Sequence, residues 1–266
     1  MISYPSAKIN IGLHIVEKRP DGYHDIESIF YPIPLFDILE INKSQKFIFT
    51  CSGIAIDGDS DSNLVVKAYK ILQKLYALDP AHIHLHKQIP MGAGLGGGSA
   101  DAAYALKMLN QLFHLNIDTH QLEKYALEIG SDCPFFIDNT PKYVTGIGEK
   151  MEHIQIDLSG QYLYIINPGI HISTVEAYGQ IIPKKSDIDL ITEASHPIAS
   201  WQKSVENAFE KPVFTLHPTI EKIKEQLRKA GALYTSMSGT GSTVYGIFNF
   251  PPKKLEKYAY EKVLKL

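Results

Sequence analysis

The chain has 266 residues, 44% of them hydrophobic, with 26 basic against 29 acidic side chains and a formal net charge of −3. That length holds one large or two modest domains with a packed core, and the mild acidity excludes a protein dominated by nucleic-acid backbone contacts. Two cysteines, Cys51 and Cys133, make no disulfide framework, and no run reaches the roughly 18 apolar residues of a membrane span, so the expectation is a soluble cytoplasmic protein with neither nucleic-acid nor membrane partners.

The opening residues, MISYPSAKINIGLHI, carry neither a signal-peptide nor a transit-peptide pattern. Alternation and β-branched content predict strands at Ala7–Val16, Ile26–Pro34, Ile38–Asn42 and Lys46–Ser52. In the first of these, Lys8 and Asn10 share one face and Ala7, Ile9 and Ile11 the other. A cation and an amide pointing together suit a phosphate or a substrate hydroxyl; a solvated strand face has the same pattern. Between the first two strands, Arg19-Pro20-Asp21-Gly22-Tyr23-His24 reads as a turn. It ends on a ring able to stack on a base and an imidazole able to donate and accept, although an ordinary hairpin tip looks alike. Asn63–Leu78 is predicted as a helix with Leu64, Ala68, Ile71, Leu72 and Leu75 on its buried face. His82–Lys87 is a strand whose three imidazoles, His82, His84 and His86, share a face. A His-x-His pair can bind zinc, but no glutamate or cysteine is near in sequence, and no metal site is assigned.

Next comes IPMGAGLGGGSADAAYAL, residues 89–106, with five glycines in the seven positions from Gly92 to Gly98. Alanine, leucine and methionine then favour a helix running to about Leu115. Glycine before a helix weakens it unless bare backbone is needed. The unpaired N–H groups and positive dipole end of the helix suit a phosphate. A Walker loop is excluded because no lysine precedes Ser99. Gly92 to Gly97 fits G-x-G-x-x-G, but no apolar strand leads to Asp118, so a dinucleotide site is a poor fit.

A helix is predicted at Asp118–Ile129, capped by Asp118 or Thr119, and strands at Tyr143–Gly146 and Lys150–Ile156. Between them, Gly130-Ser131-Asp132-Cys133-Pro134-Phe135-Phe136 sets a carboxylate at a helix stop, either as a turn residue or as a general base. The pattern resets near Leu158-Ser159-Gly160, giving a boundary near residue 157. Beyond it, strands are predicted at Tyr162–Asn167, Tyr234–Ser238 and Thr243–Phe248, and helices at Thr174–Ile181, Asp187–Ala194, Thr219–Ala230 and Lys253–Leu264. Met237-Ser238-Gly239-Thr240-Gly241-Ser242, joining two strands, could wall a ligand or simply turn a hairpin. The irregular mixture favours an α+β fold.

Five motifs in order resemble those of the GHMP kinases, named for galactokinase, homoserine, mevalonate and phosphomevalonate kinases. They are Ser6-Ala7-Lys8-Ile9-Asn10, Arg19 to His24, Pro90 to Ala100, Gly130 to Phe136, and Met237 to Gly241. The resemblance covers most of the chain. It implies a ribosomal protein S5 domain 2-like N-terminal domain that binds ATP, here 1–157, and a ferredoxin-like C-terminal domain, here 158–266. It implies phosphoryl transfer from ATP, with Mg²⁺, to an alcohol on a small molecule bearing a cytidine diphosphate. The implied ATP-binding residues are Pro90, Met91, Gly92, Ala93, Gly94, Leu95, Gly96, Gly97, Gly98, Ser99 and Ala100, with Asn63 and Lys87 near the adenosine. Asp132 is implied as the base and Lys8 as the cation that lowers the hydroxyl pKa and stabilises charge. For the acceptor, Asn10 is implied to position it, Tyr23 to stack on cytosine, His24 to read its edge, and His171 to border it, where the family often has an aromatic. An acceptor without cytosine would have no use for Tyr23 and His24. A silent nucleotide sensor would not need both Lys8 and Asp132.

Overall fold

The computed structural model describes residues 1–56, 58–255 and 258–266. Strand β1 (Ile2–Ser3) precedes two long strands, β2 (Ser6–Lys18) and β3 (His24–Phe36), and then β4 (Ile38–Lys43) and β5 (Ile48–Gly53). Helix α1 (Leu64–Tyr76), strand β6 (Ala81–Lys87) and helices α2 (Gly97–Leu112), α3 (Thr119–Ile129) and α4 (Phe135–Asp138) follow. The remainder is β7 (Lys142–Thr145), β8 (Lys150–His153), β9 (Tyr162–Asn167), α5 (Thr174–Gly179), α6 (Leu190–Ser195), α7 (Glu210–Leu216), α8 (Pro218–Lys229), β10 (Tyr234–Met237), β11 (Val244–Phe248) and β12 (Tyr260–Lys265). The chain is threaded through two compact units. One holds Met1–Ala7, Leu35–Met91 and Gly96–Thr140; the other holds Lys8–Pro34, Gly92–Leu95 and Pro141–Leu266.

In the first unit, a sheet ordered β1-β4-β6-β5 pairs β5 parallel to β6 and the other neighbours antiparallel. Helix α2 packs on α1 and on β4. Its alanines explain that closeness: Ala100, Ala102, Ala103 and Ala105 are all fully buried, and a methyl lets backbones approach. Helix α1 begins where the Asn63 side chain accepts from the Val65 N–H at 2.9 Å. Its buried stripe is Val65, Val66, Ala68, Tyr69 and Leu72. Leu75, expected on that face, is 53% exposed, because the helix turns its last turn outward before a left-handed Ala77. Asp118 caps α3 as expected, accepting from the Gln121 N–H at 2.8 Å. On β6, Ala81, Ile83 and Leu85 face inward, and the histidines between them meet hydroxyls of β5. Thr50 Oγ1 lies 2.8 Å from His84 Nδ1, and Ser52 Oγ 2.9 Å from His86 Nδ1. Among the described residues, no group of three or more His, Cys, Asp and Glu is placed to hold a metal ion, and no helix is long and apolar enough to cross a membrane.

The second unit carries a sheet ordered β2-β3-β7-β8 and another ordered β10-β11-β9-β12. Its core joins Tyr164, Ile166, Phe209, Ile220, Ile223, Leu227, Val244 and Phe248, with α8 packed on β10 and β11. The helix expected at Lys253–Leu264 is not formed. Residues 253–255 are irregular, 256 and 257 lie outside the described residues, and Tyr260–Lys265 is a strand. It runs antiparallel to β9, from Tyr260 opposite Asn167 to Lys265 opposite Tyr162. Lysine, glutamate and leucine there favour helix locally, but the ladder along β9 outweighs that weak preference. Helices α4 and α7 were not expected; α7 carries Pro212 in its first turn, where a missing N–H costs little.

Candidate active site

Helix α2 starts on Gly96, in the left-handed region at φ +68°, and no side chain caps it. Its first-turn N–H groups are thereby left for another acceptor. Gly92 and Gly94 are also left-handed, at φ +58° and +76°, a backbone alternation that forms anion-holding concavities. The glycines do not all serve a ligand. A Cβ at Gly94 would lie 1.9 Å from the Ser238 carbonyl oxygen, and one at Gly97 would lie 2.8 Å from Ile89 Cγ2 and 3.0 Å from Lys87 Nζ. Those two are required by packing. At Gly98 the nearest atoms would be 3.8 and 3.9 Å away, on Leu64 and Met91, so its bare backbone answers to no protein neighbour.

In the first unit, Gly98 and Met91 line a cavity of about 240 Å³ together with Phe49, Cys51, Asn63 and Asp101. Lys87 lies behind the glycine turn, fully buried, with its Nζ shared between Asp37 and Asp101, the latter at 2.8 Å. Asp37 also accepts from the Ile89 N–H at 2.9 Å, which pins the approach to the glycines. The Ser99 hydroxyl meets the Cys133 thiol, which burial pushes up to about 12, with the neighbouring Asp132 charge adding to the rise. The first turn of α2 therefore meets the turn that carries Asp132, which Gly130 closes by accepting from the Cys133 N–H at 3.0 Å. Asp132 itself is half-buried. This unit thus gathers Asn63, Lys87, Pro90, Met91, Gly97, Gly98, Ser99, Ala100 and the turn bearing Asp132.

In the second unit, Lys8 and Asn10 are not on a solvated face: they are 3% and 1% exposed. Lys8 Nζ donates to Asn10 Oδ1 at 2.6 Å and lies 4.3 Å from the Phe30 ring centroid. Asn10 Nδ2 donates to Ser28 Oγ at 2.9 Å, and Ser28 donates to the Gly12 carbonyl at 2.6 Å. The glycine segment joins this row. Lys8 N–H donates to the Leu95 carbonyl at 2.9 Å, and Ser238 Oγ donates to the Gly94 carbonyl at 2.7 Å. Asn207 Nδ2 then holds the Met237 and Gly239 carbonyls at 2.7 and 2.9 Å. The Met237–Gly241 loop is therefore tied both to Asn207 and to the glycine segment at Gly94. Sequence reasoning assigned no role to Ser28, Phe30 or Asn207. An amide between the apolar residues Val205 and Ala208-Phe209 was the available signal for the last.

At the β2–β3 tip, Tyr23 is 59% exposed. It is braced by its N–H donating to Asp21 at 3.0 Å and its carbonyl accepting from the Arg19 N–H at 2.8 Å. His24 stacks on Tyr178 of α5, with centroids 4.7 Å apart. Desolvation and then Lys18 lower its pKa, which favours a neutral ring that can both donate and accept. Tyr178, singled out by no motif, is the aromatic beside His24. His171 is exposed and lies against Gly92, its Nδ1 3.4 Å from where a Cβ there would sit. His24 and Ser28 fall on one face of β3, about 13 Å apart at the strand rise.

Comparison with known proteins gives a consistent result. The family description "GHMP kinases N terminal domain" matches residues 63–139, and "GHMP kinases C terminal" matches 188–264. The chain is 47% identical over 265 residues to a 4-diphosphocytidyl-2-C-methyl-D-erythritol kinase of Bacteroides fragilis, covering 98% of this chain and 96% of that one. It is 48% identical over 254 residues to the kinase of the same name in Cytophaga hutchinsonii, covering 95% and 94%. A crystal structure of 4-(cytidine 5'-diphospho)-2C-methyl-D-erythritol kinase is similar at a TM-score of 0.81 and 28% identity, over 94% of this chain and 91% of that chain.

Proposed function

The chain belongs to the GHMP kinase family, and from that membership we propose that it is an ATP-dependent kinase that phosphorylates the 2-hydroxyl of 4-diphosphocytidyl-2-C-methyl-D-erythritol, in non-mevalonate isoprenoid precursor synthesis. The observation that carries the nucleotide half is the start of α2: glycine-led, without a side-chain cap, and beside a cavity that Asn63 lines. Phosphoryl transfer asks for positioning and charge stabilisation more than for covalent chemistry. Backbone N–H groups from Gly96 to Ser99 bind the phosphates, and adenosine fills the cavity. Mg²⁺ would accompany the triphosphate and offset its negative charge during transfer.

The acceptor half rests on the buried row Lys8, Asn10 and Ser28 and on the aromatic tip. Asn10, held between Lys8 and Ser28, orients the erythritol. Lys8 contributes positive charge where the hydroxyl loses its proton. Asp132 takes that proton as the oxygen bonds to the γ-phosphorus and ADP departs. Tyr23 stacks on cytosine and His24 reads its polar edge, with Tyr178 backing the imidazole. The distance of about 13 Å along β3 between His24 and Ser28 suits a diphosphate joining cytidine to the reacting alcohol. His171 borders the acceptor from the Gly92 side. Every residue given a role except His171 and Tyr178 falls within 1–157, which we propose as the ATP-binding domain, with 158–266 as the C-terminal domain.

A coupled ADP-release assay tests the reaction. ADP release is expected with 4-diphosphocytidyl-2-C-methyl-D-erythritol and not with homoserine or mevalonate; equal rates with all three would overturn the acceptor assignment. Tyr23→Ala should raise the KM for the acceptor by about tenfold to a hundredfold, from the loss of base stacking, and leave the KM for ATP nearly unchanged. Equal rises in both would contradict stacking on cytosine. Gly98→Ala should keep the melting temperature of the parent, since its Cβ meets only ordinary contacts. It should weaken ATP binding by about tenfold through lost approach to the phosphates. An unchanged nucleotide affinity in a titration would show that no ligand approaches there.

A further inference from the structure

One buried polar atom has no partner and no role above. Asp101 sits in the first turns of α2 with its side chain 2% exposed. Its Oδ2 accepts from Lys87 Nζ at 2.8 Å, and Lys87 is itself fixed by Asp37, whose Oδ1 accepts the Gln88 and Ile89 N–H groups. Asp101 Oδ1 has no hydrogen-bond partner. Asp101 also lines the 240 Å³ cavity, between Gly98 and Asn63. Asn63 Oδ1 is already occupied by the Val65 N–H at 2.9 Å, and Phe49, Leu64, Leu85 and Met91 supply apolar walls. The cavity thus has apolar walls, polar side chains from Asp59, Ser60 and Ser62, and one buried carboxylate oxygen without a donor.

We propose that Asp101 determines the nucleobase: its Oδ1 accepts a hydrogen bond from the exocyclic 6-amino group of the purine in this cavity, selecting adenine over 6-oxo purines. The inference rests on the reading that the cavity takes the adenosine of ATP. A buried acceptor without a donor is unfavourable, and an arriving amino group satisfies it. A 6-oxo oxygen in the same place would set acceptor against acceptor, and a site with a committed polar group rejects such a mismatch strongly. Burial pushes the Asp101 carboxyl up to about 7, with Asp37 adding to the rise and Lys87 opposing it.

Steady-state kinetics with ATP, purine riboside 5′-triphosphate and ITP test this on the unaltered protein. Purine riboside 5′-triphosphate lacks only the amino group, and its KM should exceed that of ATP by about tenfold at similar kcat; ITP should fall about a hundredfold in kcat/KM. Asp101→Asn adds a second reading. Lys87 would hold the amide oxygen and turn the NH₂ into the cavity, so the preference for ATP over ITP should shrink by about tenfold or invert. If that variant does not fold, the analogue series decides. Equal KM values for the three nucleotides, with ATP turned over normally, would overturn the role of Asp101 and leave the kinase reading standing. No ADP release from ATP with any acceptor would remove both.

Discussion

Asp132→Asn is expected to reduce turnover by about 10²- to 10⁴-fold while ATP still binds with nearly the parent affinity. The amide has the shape of the carboxylate but cannot take a proton from the acceptor hydroxyl. The turn that holds it depends on the Cys133 N–H to Gly130 bond and on the burial of Cys133, Phe135 and Phe136, none of which the substitution alters. The proposed phosphate site is instead the uncapped backbone at the start of α2. A rapid-quench measurement of phosphoryl transfer, paired with a nucleotide-binding titration, separates the two. Near-parent transfer rates would remove Asp132 from the role of base.

Lys87→Met should have the largest effect on stability, about 3–5 kcal/mol, because it leaves Asp37 and Asp101 buried together without a cation. For a chain of this size that lowers the melting temperature by roughly 10 °C. The loss should depend on pH in a definite direction. Burial raises the Asp101 carboxyl from 3.8 to about 7 in the folded protein. The folded chain therefore holds this proton more tightly than the unfolded one. Stability linked to it is full below about 4 and is lost as pH rises through about 7. With Lys87 gone, the opposing pull disappears and the carboxyl rises further. The difference in melting temperature between parent and variant should thus narrow when pH falls from 8 to 5.5. A difference that stays constant or widens on acidification would contradict the charge account.

Local pattern made much of this legible. Alternation revealed β2, β3 and β6, and a helix stripe revealed α1 within two residues at each end. Asp118 was readable as a cap because its chemistry acts three residues away. The glycine run before Ser99 was readable because its local cost demanded a reason. What stayed hidden depends on distant pairing. Nothing near Lys87 in sequence announces Asp37, fifty residues earlier, or that the lysine would be enclosed rather than facing a ligand. Gly94 looked like a position kept bare for phosphate, yet a carbonyl 144 residues away explains it. Lys8 and Asn10 were paired correctly on one face, but their burial follows from Ser28, Phe30 and Ser238 closing over them. At Tyr260–Lys265, helix preference was read where the competing strand partner lies nearly a hundred residues upstream.

That last ribbon also shields its neighbour. Strand β9, Tyr162–Asn167, is almost wholly apolar and buried, and its outer row of amides and carbonyls is paired by Tyr260–Lys265. Those residues place Glu261, Lys262 and Lys265 on the outermost strand, where charge discourages a foreign chain from extending the ladder. Trimming the polypeptide before Tyr260 would therefore do more than shorten it: it would uncover a sticky template for fibre-like growth along the new edge of an otherwise intact sheet.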